Sequence, residues 1–359
     1  MSKQQARTSE YFLGAVTHSG FTGDFEKTMT GDGYFTFILK GGAGTGKSSL
    51  MKKIAAAFPD GEREIYHCSS DPESLDAVKL GEYKTIVVDG TAPHTFDPVF
   101  PGVGQVIVNL GDLWIDKKLL ANADGIAEAM ALNRSYMDRA KRYTGALIDI
   151  CFDTCRSCSE ALDTGGIKAL ADRLSKRLIT GKGSGGSIYT RQLSAVTMQG
   201  YKTYDRTISG YSKVYRFSDE YFAASSLLLD ELTQRAVSKG YDVIICVTQL
   251  LNDDAAEHIF IPELDTAFVT QSRIKGDIGT GRTVSLQKYY SGEVLSSRLP
   301  RLKINRALTK TMLDETAKTL TLAKQAHDEI EKYYIAAMDF KKLDKLTEKL
   351  IERIAKRKI

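Results

Sequence analysis

The feature that most constrains this chain is that it is written twice. Leu13 to Phe21 (LGAVTHSGF) lines up with Leu193 to Tyr201 (LSAVTMQGY), with five of nine positions identical and the last aromatic in both. After a one-residue slip, Phe25-Glu26-Lys27-Thr28 matches Tyr204-Asp205-Arg206-Thr207 in kind, and Ser48-Ser49-Leu50 matches Ser225-Ser226-Leu227. Glu82 to Val88 (EYKTIVV) then resembles Glu263 to Val269 (ELDTAFV), and the offset stays between 177 and 181 throughout. Blocks that recur in one order at nearly one offset are the mark of a tandem duplication, so whatever fold one half takes the other must take too. The glycine-rich stretch Gly181 to Ser187 falls at the join and reads as a flexible linker, which divides the chain into 1–180 and 181–359.

Each half has the same coarse order. In the first, Tyr34 to Lys40 is a β-branched and aromatic run, and Lys47 to Phe58 has helical periodicity. Glu64 to Cys68, Thr85 to Val88 and Gln105 to Leu110 read as further short buried strands. From Lys117 to Thr180 the pattern is helical with a break at Gly165-Gly166, and the second half ends in long helices from Asn305 to Lys358. Strands alternating with helices predict an α/β fold with two tandem parallel-sheet domains, each followed by long helices.

The chain has 359 residues, 42% hydrophobic and 26% charged, enough for a sizeable core and outside the disordered, collagenous and rod-like classes. No apolar run approaches the roughly 18 residues of a membrane span, and the polar start from Met1 to Glu10 lacks a signal-peptide core. Five unevenly spaced cysteines argue against a secreted disulfide framework, so a soluble, cytoplasmic protein is expected. The net charge is only +4, and the surplus lies from Arg301 onward, where 15 basic residues alternate with 9 acidic ones at helical spacing. That alternation reads as a solvated helix face, so nucleic acid is not the favoured partner.

Gly41-Gly42-Ala43-Gly44-Thr45-Gly46-Lys47-Ser48 fits G-x-x-x-x-G-K-[ST] at every position, between a predicted strand and a predicted helix. This is the Walker A, or P-loop, pattern, and Ser49 follows it into the first helical turn. Glycines let successive backbone N–H groups turn inward around a phosphate, and the helix N-terminus adds its positive dipole end. Lys47 would reach the β and γ oxygens as a mobile point charge, and Ser48 would offer a hydroxyl to Mg²⁺. Thr85-Ile86-Val87-Val88-Asp89 supplies the acidic residue that such loops use at the end of a neighbouring strand, so Asp89 is expected opposite Ser48 in the metal shell. No Glu follows Asp89, so the water-activating carboxylate of many ATPases is missing there. His67, Asp71, His94 and Asn109 sit at strand tips as replacements, each equally readable as a turn or cap residue.

The second half has lost this pattern. Opposite Gly41 to Ser48 it reads Ser218-Asp-Glu-Tyr-Phe-Ala-Ala-Ser225, with Ala224 opposite the lysine and Thr270 opposite Asp89. One nucleotide site per chain follows, with the second half a structural or regulatory pseudo-domain. Arg206 and Arg216 are positional guesses for an arginine supplied to the γ-phosphate. Cys151, Cys155 and Cys158 have the C-x3-C-x2-C spacing of an iron–sulfur ligand set, but offsets of 0, 4 and 7 also put them on one helix face, where core packing is the preferred reading.

Ala15-x-Thr17-x-x-Gly20-Phe21, Gly41 to Lys53, His67 to Asp76 (HCSSDPESLD) and Val88-Asp-Gly-Thr-Ala-Pro-His94 together resemble a group of duplicated bacterial P-loop proteins usually labelled ATPase or nucleotide kinase. The resemblance covers essentially the whole chain and is densest from Tyr11 to Leu113. It implies P-loop NTPase-like domains, an ATP site and Mg²⁺. In such relatives the second half often keeps its own P-loop, and here it does not. The expected activity is Mg²⁺-dependent ATP hydrolysis. The alternatives are a kinase passing the γ-phosphoryl to a small-molecule or nucleotide acceptor, with residues 117–180 as lid, or a nucleotide-gated switch acting on a protein client.

Overall fold

The computed structural model describes residues 7–17, 20–22, 33–92, 95, 97–181, 183, 185–251, 255–276, 279, 281–358. Phe25 to Thr28, His94, and Lys182 and Ser184 of the expected linker lie outside the described residues. The architecture is α/β, built on two six-stranded mixed sheets.

The first sheet has the order β1-β5-β6-β7-β4-β8, from β1 (Thr8–Phe12), β4 (Phe35–Lys40), β5 (Arg63–His67), β6 (Leu75–Leu80), β7 (Thr85–Asp89) and β8 (Gln105–Asn109). A small hairpin, β2 (Ala15–Thr17) and β3 (Gly20–Thr22), stands apart from it. β4 lies between β7 and β8 and is parallel to both, and it carries Phe37, Ile38 and Leu39 with no exposure at all. Such a continuous apolar run is what a strand covered on both faces requires. The expectation of a parallel sheet needs correction, because β6 runs antiparallel to both β5 and β7. Residues 68–74 and 81–84 are the only links on either side of it, too short for the crossover of a dozen or more residues that a parallel connection needs. β1 and β6 are not among the strands expected from the residues.

The second sheet is the first one again. β9 (Ile188–Arg191), β12 (Lys213–Ser218), β13 (Val243–Val247), β14 (Ala256–Ile261), β15 (Thr266–Gln271) and β16 (Arg282–Ser285) follow the order β9-β13-β14-β15-β12-β16, with β14 the one reversed strand. The hairpin of β10 (Ser194–Thr197) and β11 (Gly200–Thr203) repeats β2–β3. The correspondence extends to single residues. Lys84 and Asp265 both take left-handed backbone, with φ of 40° and 47°. The next residue in each half, Thr85 or Thr266, donates its hydroxyl two residues back, to Tyr83 at 2.8 Å or Leu264 at 2.9 Å. Both β5 and β13 shift register just before their last residue.

The helices are α1 (Lys47–Ala57), α2 (Asp116–Leu120), α3 (Ala123–Ser159), α4 (Thr164–Leu178), α5 (Asp205–Ser209), α6 (Ala223–Ser238), α7 (Gly292–Ala337) and α8 (Phe340–Ala355). The break expected at Gly165-Gly166 falls instead at residues 160–163, and both glycines sit in the first turn of α4. No helix among the described residues is long and apolar enough to cross a membrane.

The compact units do not coincide with the halves 1–180 and 181–359. One unit is Met1–Lys141 with Ala317–Ile359, the other Arg142–Thr316. The physical reason is an exchange of terminal helices. α4, from the first half, buries Ile167, Leu170, Ala171 and Leu174 in the core that holds Leu228, Leu229 and Leu232 of α6. α8, from the second half, buries Leu343, Leu350 and Ile354 with Leu50, Met51 and Ile54 of α1. Even the entries match. Asp163 caps α4 by accepting from Gly166 N–H, and Asp339 caps α8 by accepting from Lys342 N–H. Asp163→Ala should therefore cost about 1 kcal/mol in the second unit and Asp339→Ala the same in the first. Hydrogen exchange read unit by unit checks this; an effect of Asp163→Ala confined to residues 33–141 would contradict the exchange.

Candidate functional site

The glycine loop leaves the C-terminal end of β4 and enters α1, the strand–loop–helix order that the motif needs. Gly44 and Gly46 have φ of +67° and +82°, a region that costs a residue with a Cβ roughly 1–2 kcal/mol. The loop is also closely covered. A Cβ on Gly44 would stand 2.8 Å from the Glu331 carbonyl of α7, and one on Gly46 would stand 2.6 Å from Leu343 of α8. Trp114 and Tyr334, in ring contact with each other, lie against Gly42. Gly44→Ala meets both penalties, strained φ and a backbone carbonyl that cannot rotate away. It should lower the Tm by several degrees, as about 2 kcal/mol does in a domain of this size. An unchanged melting curve would mean the loop is free to shift.

Inside the loop the lysine is already engaged. Lys47 Nζ donates to the carbonyls of Gly41 at 2.6 Å and Gly42 at 2.7 Å, and lies 3.6 Å from an Asp89 carboxylate oxygen. Asp89 reaches this place because β7 is parallel to β4 with Leu39 opposite Asp89. Its other carboxylate oxygen accepts from Thr91 N–H at 2.8 Å, and the Thr91 hydroxyl donates to the Gly41 carbonyl at 2.9 Å. Ser48 Oγ accepts from Leu75 N–H at 3.0 Å, which ties the start of β6 to the start of α1. Thr45 is buried and its hydroxyl donates to the Gly42 carbonyl at 2.8 Å. Ala43 is half-buried on the loop and Ser49 exposed on α1.

Asp76, which has no place among the expected site residues, lies beside them. It is the second residue of β6, 5% exposed, and the antiparallel register that sets Ala77 opposite Val88 puts it across from Asp89. Burial, and after it the negative charge of Asp89, push its carboxyl up to about 8, while Lys47 and His67 pull the other way. The signal in the sequence was an acidic residue in second place of the matching segments of both halves, Leu75-Asp76 and Ala256-Glu257.

The strand-tip candidates divide. Asp71 accepts from Glu73 N–H and the Ser74 hydroxyl and lies 3.6 Å from Lys324, and Asn109 accepts from Gly111 N–H and donates to Asp112. Both hold turns. His67 Nδ1 lies 2.9 Å from the Pro72 carbonyl, and its other nitrogen 3.8 Å from Glu10.

In the second unit the loop 219–222 is shorter, and Phe222 holds the left-handed position of Gly46, with φ of 64°. Ala223 rather than Ala224 therefore stands opposite Lys47, each being the first residue of its helix after the shorter or longer loop. Asp219, 2% exposed, fills the N-terminal end of α6 with its own carboxylate. It accepts from Tyr221 N–H at 3.0 Å, Ser225 N–H at 2.8 Å and the Tyr290 hydroxyl at 2.9 Å. Tyr290 in turn accepts from Ala224 N–H at 2.8 Å. Donors that a P-loop would turn toward phosphate are used internally here. Thr270 does stand opposite Asp89, since β15 pairs it with Phe217 as β7 pairs Asp89 with Leu39.

Arg206 is exposed, and the Arg216 guanidinium donates to the Gly279 and Gly281 carbonyls. Cys151 packs with Leu147, Val196 and Leu250, and Cys158 among Ile167, Leu228 and Leu232. Burial pushes both thiols up to about 12, which keeps them protonated as they pack. Among the described residues no group of three or more His, Cys, Asp and Glu side chains is placed to hold a metal ion.

Comparison with protein-family models, with curated proteins and with solved structures finds no match to this chain.

Proposed function

We propose that this chain is a cytoplasmic, Mg²⁺-dependent P-loop NTPase that binds and hydrolyses ATP at one site, with the second unit as a pseudo-domain of the same origin. The observation that carries the reading is the glycine loop itself. Two left-handed glycines lie between a buried strand and a helix, with Lys47 held on the Gly41 and Gly42 carbonyls and Asp89 at 3.6 Å. A glycine loop at the start of a helix with a lysine beside it is the arrangement in which backbone N–H groups can be turned toward a bound polyphosphate. It also agrees with the resemblance to duplicated bacterial P-loop proteins.

The donors near the lysine fit Mg²⁺, since Ser48 and Asp89 offer only oxygen and too few ligands for a metal cage. A Mg²⁺ ion that takes its remaining ligands from phosphate and water needs no more. Mg²⁺ would neutralise charge developing on the transferred phosphoryl group. The chain's own part is to hold the β- and γ-phosphates on the loop N–H groups, to move Lys47 from the loop carbonyls onto phosphate oxygen, and to orient the attacking water from the Asp76–Asp89 edge.

Single-turnover ADP and phosphate formation from Mg·ATP, with bound nucleotide counted per chain, tests the reading. One nucleotide per chain and phosphate release that stops with EDTA are expected. Tight binding without release would move the assignment to a kinase lacking its acceptor, or to a switch lacking its client. No binding at all would end it.

A further inference from the structure

We propose that the cleft between α2 and the end of α7 is an anion site that takes a phosphorylated small molecule beside the glycine loop. The inference goes beyond the nucleotide-site reading and does not depend on it.

The first observation is the charge of the walls. The cleft has a volume of about 490 Å³, within the size of small-molecule sites. Lys117 and Lys118 line it from α2 and Lys332 from α7, alongside Asn122, Tyr333 and Ala336, and among the described residues no acidic side chain lines it. Lys118 Nζ donates to the Ala336 carbonyl at 2.8 Å, in the last turn of α7, where a helix leaves its acceptors unmet. Lys332 lies 2.5 Å from Glu329, one turn back on α7, and Lys117 has no ionic partner among the described residues. Three ammoniums brought together from two walls repel one another, and a multiply charged anion between them relieves the repulsion. Lysine serves phosphate as a point charge. Ammoniums grouped round one opening fit a compact anion better than a long strand.

The second observation is position. Glu331 and Tyr334 of α7 lie against Gly44 and Gly42 of the glycine loop, while Lys332, Tyr333 and Ala336 line the cleft. One stretch of helix is thus a wall of both. Gly125 makes room for it, since a Cβ there would stand 2.5 Å from the Tyr333 hydroxyl.

The third comes from the duplicated unit. Ile115 N–H donates to the Ala337 carbonyl at 2.8 Å as Ser291 N–H donates to the Ala161 carbonyl at 2.8 Å, and Trp114 bridges to Met338 as Tyr290 bridges to Leu162. In that register Lys117 falls on Glu293, Asn122 on Arg298, Lys332 on Arg156 and Ala336 on Glu160. Arg298 and Glu160 form an ion pair. The second unit therefore sets two arginines against two glutamates where the first has lysines and no acid. It does the same near the start of α6, where Glu257 holds the Lys275 ammonium at 2.5 Å with both side chains wholly buried. The unit that keeps the glycine loop also keeps the cleft unneutralised.

The test uses the full chain and inorganic pyrophosphate as probe, with isothermal titration in EDTA on wild type and on Lys47→Ala. Pyrophosphate held on the glycine loop should be lost with Lys47, whereas pyrophosphate held in the cleft should keep its affinity within twofold. On the Lys47→Ala background, Ala336→Glu brings the copy's carboxylate into the cleft and should abolish binding. Lys117→Gln and Lys332→Gln should each weaken it about two- to fivefold, the worth of one partly exposed charge contact. Glu329→Gln frees Lys332 and should tighten binding by a similar factor. Lys349→Gln, on α8 and outside the cleft, should change nothing. All five residues are exposed, so these variants should melt with their parent. Binding that vanishes in Lys47→Ala, or that ignores Ala336→Glu, would overturn the proposal. A single-stranded oligonucleotide that binds tighter than pyrophosphate with the same lysine dependence would overturn the small-molecule assignment. One pyrophosphate bound equally by wild type and Lys47→Ala would uphold the cleft and remove the loop from polyphosphate binding, so the two readings fail separately.

Discussion

Lys47→Ala should reduce single-turnover phosphate formation by about 10²–10³-fold, the loss expected when one preorganised electrostatic donor is removed from a transition state. The ammonium sits on two loop carbonyls, at 2.6 and 2.7 Å, within 3.6 Å of Asp89. Only a short swing separates that resting place from phosphate oxygen at the loop. Truncation removes the charge and leaves Asp89 and Asp76 facing each other with no ammonium between them. Nucleotide affinity should therefore fall along with the rate, and Mg²⁺ should compensate poorly. Lys47→Arg should not rescue, because a planar guanidinium fork cannot replace a compact point charge in a tight loop. Rapid-quench measurement of phosphate, with thermal melts to confirm folding, checks both variants. Undiminished phosphate formation in Lys47→Ala would remove the loop from catalysis.

The backbone of the glycine loop was legible in the sequence because what a run of glycines allows is local. The eight residues from Gly41 to Ser48 dictate their own backbone, and the left-handed φ values at Gly44 and Gly46 are what the glycines are for. Asp89 was readable because β7 is a short apolar strand that ends in an acid. Asp76 was not, because its importance depends on β6 running antiparallel to β7, and strand direction is set by the length of the links on either side. The duplication was plain in the residues, yet the exchange of α4 and α8 between units was hidden. Both helices are amphipathic, and periodicity shows that a face is buried without showing which core buries it. The loss of the second glycine loop was evident from Ser218 to Ser225, whereas its replacement by an internal ion pair required the fold to bring residues 219, 257 and 275 within reach of one another.

That internal replacement predicts the second large effect. Asp219→Ala should destabilise the second unit by about 3–5 kcal/mol, the cost of breaking a buried, hydrogen-bonded charge cluster by removing one partner. The carboxylate accepts from two backbone N–H groups and from the Tyr290 hydroxyl, and it is 2% exposed, so water cannot take its place without rearrangement. Its charge also favours the ionised form of Lys275, which burial opposes. Truncation therefore leaves three donors unmet and the ammonium with Glu257 alone. Asp219→Asn should lose less, since its amide oxygen can still accept one of the N–H groups. Thermal and denaturant melts measure the loss, and hydrogen exchange should place it at Ala224 and Ser225, at the start of α6. The hole left by Asp219→Ala has the size and charge preference of formate. Added formate should therefore raise the Tm of the variant and leave the wild type unmoved, as a ligand that binds only the folded state does. If the variant melts with the wild type, the N-terminus of α6 does not depend on the carboxylate. If it melts early and formate restores it, the N-terminus of α6 is an anion site that Asp219 fills with its own carboxylate.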